Sequence, residues 1–189
     1  MAEITMQLLP RDKMTREWRW GVPLILALIA FDQMIKAWVL GNSAFNAMNC
    51  LPDTALCGRI EVSGILDLTM TWNRGVSFGA LQAEGIARWG LFGMIGIIAI
   101  GFTLWLFRAE RWMTALALAM VVGGAVGNLI DRARFGAVVD FIDFSGPWFE
   151  IGGWKAGFPW IFNVADACIS IGAAALLLDQ LLAGRKTPS

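Results

Sequence analysis

The feature that most restricts this chain is a set of four apolar runs, at about 20–40, 86–107, 112–130 and 163–182. About twenty helical residues at 1.5 Å each cover a hydrocarbon core of about 30 Å, so every run is long enough to span a bilayer. Lipid offers no partners to backbone N–H and C=O groups, which makes an α-helix the form such a run takes. The runs predict an all-α integral membrane protein: one membrane domain over residues 1–189, four transmembrane helices, and loops at 41–85 and 131–162. Composition points the same way. Of 189 residues 57% are hydrophobic and 16% charged, whereas a soluble domain averages about 45–50% and about 25%.

Composition also removes several classes of function. A formal net charge of zero leaves no basic stripe for nucleic acid, so none is expected as a partner. The chain has no His and three scattered Cys, which offers neither a zinc ligand set nor a Cys–His pair. No metal or cofactor is expected, and acid–base chemistry falls to carboxylates. Arg11, Lys13, Arg16 and Arg19 ahead of the first run raise the alternative of a cleaved signal peptide. Its apolar middle would be about 7–15 residues, followed by a small-residue cleavage site. Here Asp32 and Lys36 sit inside the run and no clear A-x-A follows, so it is read as a retained helix.

Eight Lys/Arg fall in the 29 residues of 1–19, 108–111 and 184–189, against five (Arg59, Arg74, Arg132, Arg134 and Lys155) in the 77 residues of 41–86 and 132–162. By the positive-inside rule the termini are predicted cytoplasmic and the two long loops external. That topology gathers the scattered polar residues into one layer. Asp32 lies about twelve residues, roughly 18 Å, up the first helix, and Lys36 follows one turn later on the same face. Asn128 falls at the outer end of the third run, Asp131, Arg132 and Asp140 just past it, and Asn163 and Asp166 in the first turn of the fourth. Ionisable groups at a membrane edge are costly unless they pair, face water or do chemistry, so this layer is a candidate site. Asp32 and Lys36 admit two readings, a structural ion pair between helices or a part of that site.

In the first loop, Leu66 to Trp72 alternates apolar and polar residues, the period of a half-buried strand, and leads into Asn73-Arg74-Gly75. A small extracytoplasmic β element is predicted on the membrane surface. Its edge could hold an extended peptide by strand addition or simply close a hairpin. Cys50 and Cys57, in the same loop, could form a disulfide if the loop lies outside the cytoplasm, and Cys168 is read as packing. Gly123 to Gly127 forms a small-xxx-small surface for close helix packing. Trp148 to Trp160, rich in Trp, Gly and Pro, is either a flap over the site or an interfacial anchor.

Two carboxyls held a few ångströms apart cannot both ionise easily, so the pair keeps a proton at a pH where an isolated Asp, pKa about 3.9, has lost it. One member can then act as base toward water while the other donates a hydrogen bond to the carbonyl under attack. Asp140 and Asp166 are the chosen pair. On spacing alone Asp143 is as plausible a partner as Asp140, and Asp131 and Arg132 are equally readable as interface charges.

Five separated blocks then carry a resemblance: Asp32-Gln33-x-x-Lys36, Asn73-x-Gly75-x-x-Phe78, Gly123-Gly124-x-x-Gly127-Asn128-x-x-Asp131-Arg132, Val138-Val139-Asp140-Phe141 and Phe162-Asn163-x-Ala165-Asp166. In order and position they resemble the lipoprotein signal peptidase (signal peptidase II) family, over roughly residues 20–183. The resemblance implies an aspartic endopeptidase of the bacterial inner membrane whose catalytic dyad falls on Asp140 and Asp166. Asp32, Lys36, Asn73, Gly75, Asn128, Arg132 and Asn163 match positions that support the dyad or contact substrate. The implied substrates are prolipoproteins carrying diacylglycerol on the lipobox Cys, cut just before it, with membrane lipid as the other partner and a monomer as the expected state. The chain departs from the family pattern at NRGVSFGA (73–80), where small Ala residues are more usual after the Gly, and in a longer first loop. The rival reading is a non-enzymatic carrier or proton-coupled transporter built on the same polar cluster.

Overall fold

The computed structural model describes residues 15–50, 56–75, 86–146, 149–151 and 154–184. In chain order the elements are α1 (Trp18–Leu40), α2 (Ser43–Ala47), β1 (Leu56–Glu61), β2 (Asp67–Asn73), α3 (Ile86–Leu106), α4 (Trp112–Phe135), β3 (Val138–Asp143), β4 (Phe149–Ile151), β5 (Trp154–Ala156), β6 (Ile161–Phe162) and α5 (Val164–Gly184). Four of them, α1, α3, α4 and α5, are long and apolar enough to cross a membrane. Three follow the predicted runs closely. The third corrects the expectation: α4 continues to Phe135, so Asp131 and Arg132 lie within its last turns and not past its end. The stop is Gly136, whose φ of 72° is the left-handed conformation that glycine adopts without a Cβ penalty, and whose N–H donates to the Arg132 carbonyl.

Helix α4 is the hub. Two-thirds of its span (67%) is buried by protein, against 22% for α1 and 17% for α3 and α5. Its inward residues are small, among them Ala115, Ala117, Ala119, Gly124 and Gly127, which lets neighbouring backbones come close where lipid gives no hydrophobic drive to association. A Cβ on Gly124 would lie 2.3 Å from the Ala165 carbonyl oxygen of α5, and one on Gly127 would lie 2.7 Å from Asp32 Oδ2 of α1. Far from the sheet, Arg111 pairs with Asp179 at 2.6 Å and Thr114 donates to the same carboxylate, fixing the start of α4 to the end of α5. Helix α1 is sided in the membrane sense. It exposes Leu26, Phe31, Met34 and Trp38 and buries Asp32 and Lys36.

The sheet sits at the end of the bundle where α1 and α4 finish and α3 and α5 begin. Its antiparallel order is β1-β2-β3-β6, with β4 and β5 forming a separate ribbon. The predicted strand is β2. Its partner β3 pairs Thr71 with Asp140 and Asn73 with Val138. Met70, Trp72, Val139 and Phe141 pack with Val39 of α1 and Phe45 of α2. Because side chains alternate along a strand, burying Val139 and Phe141 in that cluster turns Asp140 to the other face. Cys50 and Cys57 are joined by a disulfide that ties the segment after α2 to β1. Part of the Trp148–Trp160 segment, including Trp148 itself, lies outside the described residues.

Candidate active site

The start of α5 shows how local rules build the site. Asn163 precedes the helix, and its Oδ1 accepts the Asp166 N–H at 2.9 Å while Asp166 Oδ2 accepts the Asn163 N–H at 3.4 Å. This is a capping box with Asp in the reciprocal position. A third N–H of the same turn, from Ala165, is taken at 3.0 Å by Asp32 Oδ1 reaching over from α1. Capping leaves Asn163 Nδ2 available, and it donates to Asp140 Oδ1 at 2.6 Å and to Asn128 Oδ1 at 3.2 Å. Asn128 Nδ2 in turn donates to Asp166 Oδ1 at 2.8 Å. The two carboxylates named from the sequence are therefore neighbours in one hydrogen-bond circuit. Asp140 is 1% exposed, and Asp166 is only partly buried.

Other donors fix the remaining oxygen of Asp140 and its surroundings. Asn73 Nδ2 donates to Asp140 Oδ2 at 3.0 Å, and Asn73 Oδ1 accepts the Gly75 N–H at 3.0 Å. Arg132 Nη2 donates to the Gly75 carbonyl at 2.7 Å, which anchors the chain after β2 to the end of α4. Burial first, and then the charge on Asp166, push Asp140 up to about 8, with the amides of Asn73 and Asn163 pulling the other way. Asp140 thus retains a proton near neutral pH.

Asp143 is separated from this site. It lies three residues along β3 and accepts from Thr69 Oγ1 at 2.5 Å and from the Ser145 N–H at 2.8 Å. Burial alone would raise it, but the Ser145 and Thr69 hydrogen bonds outweigh that and hold it below the ordinary carboxylate range. Of the two partners left open by spacing, only Asp140 faces Asp166.

Beneath the pair lies a buried charge cluster. Lys36 Nζ is 2.9 Å from Asp32 Oδ2, 2.7 Å from Asp131 Oδ2 and 3.0 Å from Asn128 Oδ1. Asp131 also accepts the Val139 N–H of β3 at 3.2 Å and the Gln33 amide at 2.9 Å. The ion pair of Asp32 and Lys36 is thus both structural and part of the site's floor. Gln33 is the residue that sequence reasoning left out of the layer, and Asp131, placed in it, was given no role beyond a possible interface charge. Their signal was present, since Gln33 follows Asp32 and Asp131 falls one turn after Gly127 on the face of α4 that meets α1.

An apolar groove of about 500 Å³ runs along α4 between α3 and α5, lined by residues such as Ile98, Phe102, Val121 and Leu176, and it ends at Asn128 and Arg132. Among the described residues no group of three or more His, Cys, Asp or Glu is arranged to hold a metal ion.

Fold and site together define a multi-pass membrane protein with paired carboxyls at one end of its bundle. Residues 24–182 match the family model for signal peptidase (SPase) II. The lipoprotein signal peptidase of Methylobacterium radiotolerans is 47% identical over 165 residues, 87% of this chain and 86% of that protein. That of Caulobacter vibrioides is 37% identical over 175 residues, 92% and 94% of the two chains. A solved structure described as a bacterial membrane enzyme shares the fold, with a TM-score of 0.68 at 24% identity over 94% of this chain and 96% of that one. The chain belongs to the signal peptidase II family.

Proposed function

We propose that the chain is an aspartic endopeptidase that cuts diacylglyceryl-modified prolipoproteins just before the lipid-modified Cys, with Asp140 and Asp166 as its catalytic pair. Membership of the signal peptidase II family makes removal of signal peptides from lipoprotein precursors its general activity. The observation that carries the finer reading is the Asn163 side chain, which donates to one carboxylate and caps the backbone of the other. A single residue thereby sets the geometry of both.

The two carboxyls have different surroundings, and this divides their roles. Asp140, buried and protonated, donates a hydrogen bond to the scissile carbonyl oxygen. Asp166, more open and accepting from the Asn128 amide and the Asn163 N–H, is the member left without the shared proton while Asp140 keeps it, and takes a proton from the attacking water. The hydroxyl adds to the carbonyl carbon, the oxygen of the tetrahedral intermediate takes the Asp140 proton, and the departing amine takes the proton gained by Asp166. The C–N bond breaks, and Asp140 recovers its proton as the carbonyl re-forms. Asn73, Asn128 and Asn163 orient the pair. Gly75 and Arg132 order the strand-end segment that would lie along the substrate, and Asp32 and Lys36 brace the floor.

The groove ending at Asn128 and Arg132 supports a substrate that arrives sideways from lipid, since its walls are hydrocarbon and its polar end adjoins the carboxylates. In the proposed setting the protein is a monomer in the bacterial inner membrane, with cytoplasmic termini and the site near the outer face. The carrier reading is not favoured, because the polar cluster lies at one end of the bundle and not at its midplane. Cleavage of one precursor with and without its diacylglyceryl group tests the substrate. The modified form is expected to be cut and the unmodified form left intact, and equal rates would refute the lipid requirement.

A further inference from the structure

A second cavity, of about 260 Å³, opens beside the first at the same end of the bundle, and four arginines line it: Arg74, Arg88, Arg132 and Arg134. No Asp or Glu is among its described lining residues. The arginines come from three places in the chain: just past β2, the first turn of α3 and the last turn of α4. Basic residues in the last helical turn complement the helix dipole, which accounts for Arg132 and Arg134. It does not account for Arg74 and Arg88, which converge on the same space from other elements. Charge placement sharpens the point. Arg74, Arg132 and Arg134 are three of the five Lys/Arg in residues 41–86 and 132–162, on the side where the positive-inside rule favours few.

The cavity lies at the level of the bilayer interface. Arg88 opens the apolar span of α3, which starts at that residue. Trp89, next to it, is 58% exposed and stacks beneath the Arg88 guanidinium, 5.1 Å from ring centroid to Cζ. Arg134 lies over Phe135 at 4.7 Å. An aromatic at the water–lipid boundary with a guanidinium above it meets both halves of a phospholipid, ring to acyl chain and charge to phosphate. Arginine is the residue suited to phosphate oxygens, which its planar fork binds in pairs.

We propose that this pocket binds the phosphate of an anionic phospholipid from the adjoining leaflet. A lipid held there would border the catalytic end through Arg132, which lines both cavities. The lipid would thus be a neighbour of the substrate and not its reacting part.

The test uses the full-length protein in discs of phosphatidylcholine mixed with phosphatidylglycerol. Native mass spectrometry counts the phospholipid retained on wild type, Arg88→Gln, Arg134→Gln and the double variant. Arg59→Gln serves as a control, because Arg59 pairs with Asp67 on the sheet, outside the cavity. Wild type is expected to retain phosphatidylglycerol in preference to phosphatidylcholine. The double variant should lose that preference about tenfold in affinity, with Arg59→Gln unchanged. Cleavage in pure phosphatidylcholine should be the same in every variant, which shows that they are folded. Equal retention by the double variant would overturn the proposal, as would an equal loss in Arg59→Gln, which would mean general surface charge. Displacement of the lipid by inorganic phosphate alone, with no preference between lipids, would assign the pocket to free phosphate and overturn the lipid assignment.

Discussion

Replacing Lys36 by Met should be among the most damaging single changes in the molecule, for reasons that concern stability before catalysis. The ammonium is 2% exposed and is the only cation within salt-bridge distance of Asp32 and Asp131 among the described residues, at 2.9 and 2.7 Å. Met fills similar volume and leaves two buried carboxylates facing each other without a counter-ion. Removing one partner of a buried pair costs about 3–5 kcal/mol, a large part of a total stability of about 5–15 kcal/mol. At about 2–4 °C per kcal/mol for a chain of this size, the thermal midpoint should fall by about 6–20 °C. Adding Asp131→Asn removes one stranded charge and keeps an oxygen for the Val139 N–H, so the double variant should recover a substantial part of the loss. Thermal unfolding of purified protein in one detergent, followed by tryptophan fluorescence, reads both numbers. A Lys36→Met protein that melts with wild type, or a double variant less stable than the single one, would refute the charge-cluster argument.

Three further outcomes follow from other parts of the structure. Because catalysis needs one proton on the pair and Asp140 holds it up to about 8, log kcat/KM should fall with unit slope as pH rises through that value. A flat profile there would contradict the assignment. Gly124→Ala puts a methyl group 2.3 Å from the Ala165 carbonyl oxygen; overpacking of this kind costs about 1–3 kcal/mol, and displacing the turn that carries Asp166 should lower kcat more than it changes KM. Maleimide labelling of unfolded protein without reductant should modify Cys168 and spare Cys50 and Cys57, whereas full labelling of either would exclude the disulfide.

Much of this architecture is legible in the chain because lipid enforces it. Apolar runs of spanning length leave the backbone one solution, and three of the four predicted spans agree with the helices within about two residues at most ends. The third failed at its end for a physical reason. Asp131, Arg132 and Arg134 look like a boundary when hydropathy is read alone, yet Asp131 is neutralised within the bundle by Lys36 and Arg132 is engaged by the Gly75 carbonyl. Charge satisfied by residues 57 and 95 positions away cannot be read locally. Strand β3 was hidden in the same way, since Val138 to Asp143 becomes a strand through pairing with Asp67 to Asn73. The alternation that turns Asp140 to the site appears only once that pairing is made. Asn163 and Asp166 were easier, because a cap and its reciprocal carboxylate three residues later are a local signature.

The central claim is that Asp140 and Asp166 act as one catalytic unit, and single-turnover cleavage of a diacylglyceryl-modified precursor by Asp140→Asn and Asp166→Asn tests it most directly. Each variant should fold, bind substrate and release no signal peptide, and the double variant should be no worse than either alone. Cleavage by both single variants near the wild-type rate would contradict it.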